Sequence, residues 1–501
     1  MKQPHCIVIG SGLGGLSAAA IMSRNGFRVT VLEAHTQAGG CLQTFKRQGA
    51  VFETGMHVVG SARKGEILNK LLNYLGIPDL ELNQLNPDAY ETIALPQGRV
   101  ELPNGIENLA RRLSELFPSE RVALSKYIDL VNQIGSASSV ETICRVDSNL
   151  TALMEYQTVA ADKVFDSLFK DPHLKAILAA DAPLYGGETA KTPFSLHAFL
   201  RDFYCKSAFR FKNHSSELSE RLVTRIKALG GDVITGAAVT NILFDNEKAV
   251  GVEINKSHKI DCDYIISTIH PSALASMLQT PLIRPAFRNR LTSLPNGMGA
   301  FSLYLKFKPG EVPLLNSIYF GYSHPNPWEA NNYTELDWPR GFMMMQFPSA
   351  SEPTNAETAV AISYMNYSDV APWAHTTTPG RRGATYNEFK ARHSAKLLEQ
   401  LEIHFPGIVN AIDDYHSSTP LSYRDYTYTA MGAMYGLARD VNGGPGSHLG
   451  ARTRVPNLFL AGQNTNSHGV LGVIIGSILA CSEILGNRHV YNQIIKANEN
   501  E

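Results

Sequence analysis

Three glycines and one acid near the start of the chain have types and spacing that carry chemistry. Gly10, Gly12 and Gly15 follow a short apolar run, Ile7-Val8-Ile9, and Glu33 closes a second one, in CIVIGSGLGGLSAAAIMSRNGFRVTVLEA. In a Gly-x-Gly-x-x-Gly turn the first glycine permits a tight bend and the second lets backbone approach a pyrophosphate. The third lets helix and strand pack closely. Phosphates then lie at a helix N-terminus, where free N–H groups and the dipole favour negative charge. Glu33, 23 residues after Gly10, stands where a carboxylate accepts hydrogen bonds from ribose hydroxyls and repels a 2′-phosphate. The spacing specifies a dinucleotide.

Two further glycine clusters distinguish NAD from FAD. Gly39 and Gly40 follow the acid in HTQAGGCLQTF, and FETGMHVVG comes next. Near the C-terminus, NLFLAGQNTNSHGVLGVIIGSILA runs a strand into Gly462 and a polar loop into Gly469 and Gly472, at the start of an apolar helix. A helix N-terminus aimed at the pyrimidine edge of a flavin would stabilise negative charge on the reduced ring. A nicotinamide site needs none of this, whereas the long, two-ended FAD engages both ends of the chain. Tightly held, non-covalent FAD is the expectation.

The elements that must position these groups are readable in outline. With 501 residues, 44% hydrophobic and 18% charged, the chain is long enough for two or three domains with large cores. The fold class is α/β with an α+β substrate part. Residues 1–95, 213–285 and 450–501 are expected to form a discontinuous Rossmann-type FAD-binding domain. Residues 96–212 form a mainly helical insertion or lid, and 286–449 a mixed-sheet substrate domain. Residues 35–60 read as glycine-rich loop, and 203–211 (FYCKSAFRF) as either an aromatic tunnel wall or plain core. GGPGSHLG, 443–450, lacks the strand and helix of a second dinucleotide site.

A formal net charge of -1 gives no reason to expect a nucleic-acid partner. The six scattered cysteines, with no C-x-x-C pair, fit a reducing cytosol and no metal site. A first strand beginning by Cys6 leaves no room for a signal peptide. GVLGVIIGSILACSEIL is short for a membrane span and reads as a buried helix. The expected location is the cytoplasm, with peripheral contact to a membrane surface through residues 106–135. There Arg111 and Arg112 share a helix with Leu109, Leu113, Leu116 and Phe117; a solvated helix face is the alternative.

These motifs make the family recognisable. The chain resembles, over nearly its full length, the flavin-dependent polyene oxidoreductases: phytoene desaturases, carotenoid cis-trans isomerases and, most closely, retinol saturases. The resemblance is strongest at 6–60, ELSERLVTRIKALGGDVITGAAV, AMGAMYG and VPNLFLAGQNTNSHGVLGVIIGSILACSEI. Desaturases usually carry Arg after the glycine pair and Asp after the late Ala-Gly, where this chain has Cys41 and Gln463. The resemblance implies that Gly10, Gly12, Gly14, Gly15, Glu33, Gly39 and Gly40 hold the ADP half of FAD, with Val239 under the adenine. Gly462 and Gln463 would hold the ribityl chain, and Gly472 and Val473 would lie near the flavin ring. The glycine pair that often precedes the middle helix is replaced by NHSSELSERL.

The implied chemistry is hydride exchange between flavin N5 and a carbon–carbon double bond of a polyene or isoprenoid lipid, with an electron donor or acceptor as second partner. Saturase-type reduction is favoured; desaturation or isomerisation is the alternative. His57 is a candidate proton donor of near-neutral pKa, or a hydroxyl-holding group; a hydrogen-bonded loop histidine is the competing reading. Tyr435 and His468 are similar candidates. A rival of another class is a prenyl-protein chaperone, which resembles this fold without a functional flavin. A soluble amine oxidase is a third alternative.

Overall fold

The computed structural model describes residues 3–146, 150–377, 382–443 and 449–499. Most of GGPGSHLG, 444–448, lies outside the described residues. Strand His5–Ile9 is buried along its whole length, as an apolar run without alternation must be in a sheet covered on both faces. It pairs in parallel with Arg28–Leu32 on one side and Tyr264–Ser267 on the other. Asp232–Ile234 and Leu458–Leu460 extend the sheet, giving the all-parallel order 232–234, 28–32, 5–9, 264–267, 458–460. Three distant stretches of chain thus build one sheet.

The helix Leu13–Arg24 follows the glycine turn. Its Ala18, Ala19 and Ala20 are buried, and small side chains there allow the late helix Gly469–Leu485 to pack against it. Ser477 Oγ donates to the Gly14 carbonyl at 2.8 Å across this contact. Among the described residues no helix is long and apolar enough to cross a membrane.

A second, seven-stranded sheet is mixed, in the order 412–418, 299–307, 356–365, 341–348, 318–322, 91–95, 98–102. Its neighbours are antiparallel except 318–322 against 91–95. The hairpin 91–95/98–102 belongs to this sheet, although the expected boundary at residue 95 divides it between flavin part and insertion. Its partner strand lies more than two hundred residues away, beyond the reach of a local pattern. Residues 35–60 are also not all loop: Thr44–Arg47 and Ala50–Glu53 form a hairpin.

Between these sheets in sequence come the helices Ile106–Leu116, Arg121–Gly135 and Phe194–Lys206. Leu109, Leu113, Leu124 and Val131 are fully buried, as apolar residues at helical spacing should be. In 203–211, Ala208–Phe211 is the central strand of a small sheet with 59–60 and 82–84. Phe203, Phe209 and Phe211 are core side chains, and this stretch lines no part of the main cavity.

Helical segment and mixed sheet are joined by buried charge. The Arg201 guanidinium, 1% exposed, lies 2.6 Å from Glu91 and 2.8 Å from Asp181. Tyr185 donates to Asp181 at 3.3 Å, and its hydroxyl is 3.0 Å from His197 Nδ1. Burial pushes the Asp181 carboxyl up to about 7 against the opposing pull of Arg201. One cation thus serves two buried carboxylates.

Candidate active site

A cavity of ≈ 460 Å³ lies between the parallel sheet and the mixed sheet, within the size range of ligand sites, about 300–1,000 Å³. One end is made by the first glycine turn. Gly12 is the N-cap of the Leu13–Arg24 helix and brings no side-chain cap, so the helix's first N–H groups are left for a ligand. Two glycines there are required by close approach. A Cβ on Gly15 would overlap the Gly10 carbonyl oxygen, and one on Gly14 would stand 2.9 Å from the Gly462 Cα. The early and late glycine turns therefore touch backbone to backbone.

Glu33 ends its strand beside this turn. One carboxylate oxygen accepts from Ser11 N at 2.8 Å and Ser11 Oγ at 2.6 Å, the other from His35 N at 2.9 Å. A carboxylate has about four lone-pair sites, so acceptor capacity remains for a ribose hydroxyl. Gly39 N donates to the Ser11 carbonyl at 3.0 Å, which lays the second glycine pair along the first turn. Gly10, Gly12, Gly14, Glu33, Gly39, Gly40, Val239, Gly462, Gln463 and Val473 all line the cavity. Gly15 and Gly472 do not: Gly15 packs against the first turn, and a Cβ on Gly472 would meet Ser467 at 2.7 Å.

The second helix N-terminus, at Gly469, also faces the cavity, with His468 as an N-cap that makes no side-chain cap bond. Two helix N-termini and one ribose-type acid converge on one space. That set fits both halves of FAD: a pyrophosphate at the first helix and an electron-accepting ring edge at the second. Ser215, in the stretch that replaces a glycine pair, binds Glu53 through its N–H at 3.0 Å and through its hydroxyl.

His57 lines the cavity and is 7% exposed, and its Nε2 has no partner among the described residues. Burial pushes its pKa down to about 4, against a smaller opposing effect of Glu53. The near-neutral titration expected from sequence is corrected accordingly: the ring is a neutral imidazole at pH 7. Tyr435 also lines the cavity, but its hydroxyl donates to the Pro183 carbonyl at 2.9 Å and its ring lies 4.3 Å from that of His468. Burial raises the Tyr435 pKa further, so this phenol shapes a wall. His468 stands behind it, outside the main cavity, with its pKa pushed down to about 3 by burial and by Arg439.

The far end comes from the mixed sheet. Met343 and Ile362 are register partners on adjacent strands, and Tyr364 lies two residues on, on the same face. The polar atoms here are tied back: Ser363 Oγ donates to the Gly341 carbonyl at 2.8 Å and Tyr364 Oη to that of Gly187 at 3.3 Å. Sequence reasoning places Met343, Ile362 and Tyr364 in the 286–449 mixed-sheet substrate domain but singles none of them out for the site. Only their alternation hints at a facing side, and nothing local says what it faces. Among the described residues lining the cavity, Glu33 is the sole acid, and no lysine or arginine is present.

A glycine-turn dinucleotide site closed by both ends of the chain defines an FAD-dependent oxidoreductase. The chain belongs to the flavin-containing amine oxidoreductase family, whose model matches residues 13–485. It is 28% identical to an all-trans-retinol 13,14-reductase of Rattus norvegicus, over 98% of this chain and 87% of that protein. It is 22% identical to prolycopene isomerase 1, chloroplastic, of an Oncidium hybrid cultivar, over 96% of this chain and 84% of that protein. Among solved structures, an oxidoreductase from Methanosarcina mazei shares the fold with a TM-score of 0.66 and 18% identity, covering 95% of this chain and 99% of that one.

Proposed function

We propose that this chain reduces a carbon–carbon double bond of a hydrophobic polyene or isoprenoid lipid, in the manner of a saturase. The observation that carries this reading is the cavity wall. Its one acid lies at the nucleotide end, and the other end offers apolar side chains and polar atoms already bonded to backbone. An amine or acid substrate would be left there without a counter-charge, whereas a neutral hydrocarbon chain loses nothing by burial. The likeness to a retinol reductase and a prolycopene isomerase points to the same substrate class.

When bound, FAD supplies the two-electron chemistry. The chain's own residues bind, align and dry the site. In this reading Gly10, Gly12, Gly14, Glu33, Gly39, Gly40 and Val239 hold the ADP half, and Gly462, Gln463 and Val473 the ribityl and ring end. Gly15 and Gly472 support them from behind. His57 offers a neutral imidazole Nε2 to a substrate hydroxyl. Tyr435 aligns the chain of the substrate. The parallel sheet is the flavin part, the mixed sheet the substrate part, and the 106–206 helices their cover.

Anaerobic incubation of the dithionite-reduced enzyme with all-trans-retinol and a carotenoid panel tests the reaction by mass. A gain of two hydrogens is expected. A loss of two by the oxidised enzyme would replace saturation with desaturation, and an unchanged mass with altered retention would mean isomerisation. Oxidation of amines with all polyenes untouched would overturn the reading. A water-insoluble substrate must come from a bilayer or carrier, and we place membrane contact at 106–135, where Leu116 and Val122 are 37% and 73% exposed. Flotation with anionic liposomes is the expected result; recovery only in the soluble fraction would remove this part.

A further inference from the structure

Beside Glu33 the cavity is bordered by two aromatic rings brought from separate parts of the chain. His35 follows the acid by two residues. Tyr428 follows the helix Pro420–Thr427, in the stretch that also carries the mixed sheet. The two rings stack with centroids 4.9 Å apart and planes 19° from parallel, and both residues line the cavity. We propose that the His35–Tyr428 pair is the wall against which the adenine of FAD packs, with His35 Nε2 hydrogen-bonding to the edge of the base.

Position supports this first. Glu33 Oε1 accepts from His35 N at 2.9 Å, so a nucleotide whose ribose sits on Glu33 carries its base past His35. Ala238 and Val239 line the cavity alongside. The His35 backbone is pinned, because its carbonyl accepts from Gly236 N at 2.8 Å and the Glu33 carbonyl accepts from Ala237 N at 2.8 Å. The His35 Nε2 atom is buried and has no partner among the described residues, an expensive arrangement unless a ligand completes it.

Tyr428 shows the same purpose from the other side. It sits in the left-handed region, φ 53 and ψ 24, where a bulky side chain is rare and strained. It is also 55% exposed, so burial in a core does not explain that strain. The surrounding structure holds it: a capping box of Thr419 and Ser422 starts the preceding helix, and Asp425 near its end pairs with Arg382 and Arg424. Thr427 Oγ1 bonds Thr429 Oγ1 at 2.8 Å across the tyrosine. A braced aromatic of this kind offers a flat π-face to a base, which stacks well on any such ring.

The inference rests on FAD as the dinucleotide, and the test separates the two. Full-length protein is stripped of flavin and refilled with FAD or with FMN, which lacks the AMP half, and dissociation constants are read from flavin fluorescence. Tyr428→Ala should weaken FAD about tenfold, with FMN within about twofold of wild type on the same scale. Tyr428→Phe should restore FAD binding. His35→Phe, which keeps a ring but no Nε2, should weaken FAD by about three- to tenfold, the worth of one hydrogen bond. Equal losses for FAD and FMN, or no loss for either, would overturn the adenine wall. Wild-type protein that takes up no flavin would overturn the cofactor itself, and the adenine wall with it.

Discussion

Where its glycine turns meet, the cavity is walled by backbone, with Gly14 against Gly462 and Gly39 against Ser11. At its far end the walls are side chains, Met343, Ile362 and Tyr364 on two paired strands. A backbone wall presents N–H groups and dipoles at fixed positions, and it tolerates no added Cβ where turns touch. A side-chain wall keeps its shape only through volume, so volume-conserving changes there cost little. Cofactor binding should therefore be brittle to small insertions and indifferent to the far end, while substrate choice should behave in the opposite way.

The sharpest way to break this contrast is Gly14→Val. Its Cβ would stand 2.9 Å from the Gly462 Cα, and neither backbone can yield without parting the Leu13–Arg24 and Gly469–Leu485 helices. Purified protein should lack flavin absorbance altogether, whereas Met343→Ala, which changes the volume of the far wall, should keep it and change the range of polyenes turned over. A yellow Gly14→Val protein would show that the glycine turns do not form the cofactor wall.

Arg201 tests what lies behind the apolar end. Arg201→Met leaves Glu91 and Asp181 buried without their cation, which should cost about 3–5 kcal/mol in unfolding experiments. Turnover should suffer through the Pro183–Tyr435 wall, with flavin content preserved in the fraction that folds. The pH dependence has a definite sign. Asp181 is held up to about 7 in the folded protein, above an unfolded value of about 4. The folded state therefore binds more protons between these values, and this group's stabilisation is lost as pH rises through that window. Asp181→Asn should flatten the fall in stability from about pH 4 to 7; an unchanged slope would assign the proton elsewhere.

How much of this was legible follows the same contrast. The turn at Gly10, Gly12 and Gly15, the acid at Glu33 and the helix beginning at Gly469 are local patterns, with strand, turn and helix adjacent in sequence. The far end is not local. Strands 91–95 and 318–322 meet only in the folded chain, and the His35–Tyr428 stack joins residues nearly four hundred positions apart. His57 was visible as a residue type, but its pKa follows from burial, which no spacing reveals. Gly15 and Gly472 carry the motif's spacing and serve packing, because a glycine is needed wherever two backbones meet, with or without a ligand between them.

A smaller effect is expected at Glu33, which belongs to the backbone-built end but acts through a side chain. Glu33→Ala removes the ribose acceptor along with the bonds to Ser11 and His35. A charge-assisted pair of this kind is worth about 1.5–3 kcal/mol, or about ten- to hundredfold in FAD dissociation constant. Equilibrium refilling of the stripped protein measures it, and an unchanged constant would remove Glu33 from the ribose site.

The smallest effect is expected at His57, where the two ends meet. Its Nε2 has no partner among the described residues and borders the cavity. Because burial holds its pKa down to about 4, the ring stays neutral from pH 5 upward, and its titration adds no limb to the activity profile between about pH 5 and 8. A neutral imidazole is suited to holding a hydroxyl at the end of a polyene. His57→Gln should then raise KM for a polyene alcohol by about two- to tenfold, one hydrogen bond's worth, with kcat and flavin content nearly unchanged. The KM for the corresponding hydrocarbon without the hydroxyl should not move. If instead kcat falls by about 10²–10⁴ for both substrates with FAD in place, His57 moves a proton in the reaction. The imidazole would then have to titrate differently once cofactor and substrate fill the cavity, and a pH profile of the wild type, gaining a limb that His57→Gln lacks, would show it.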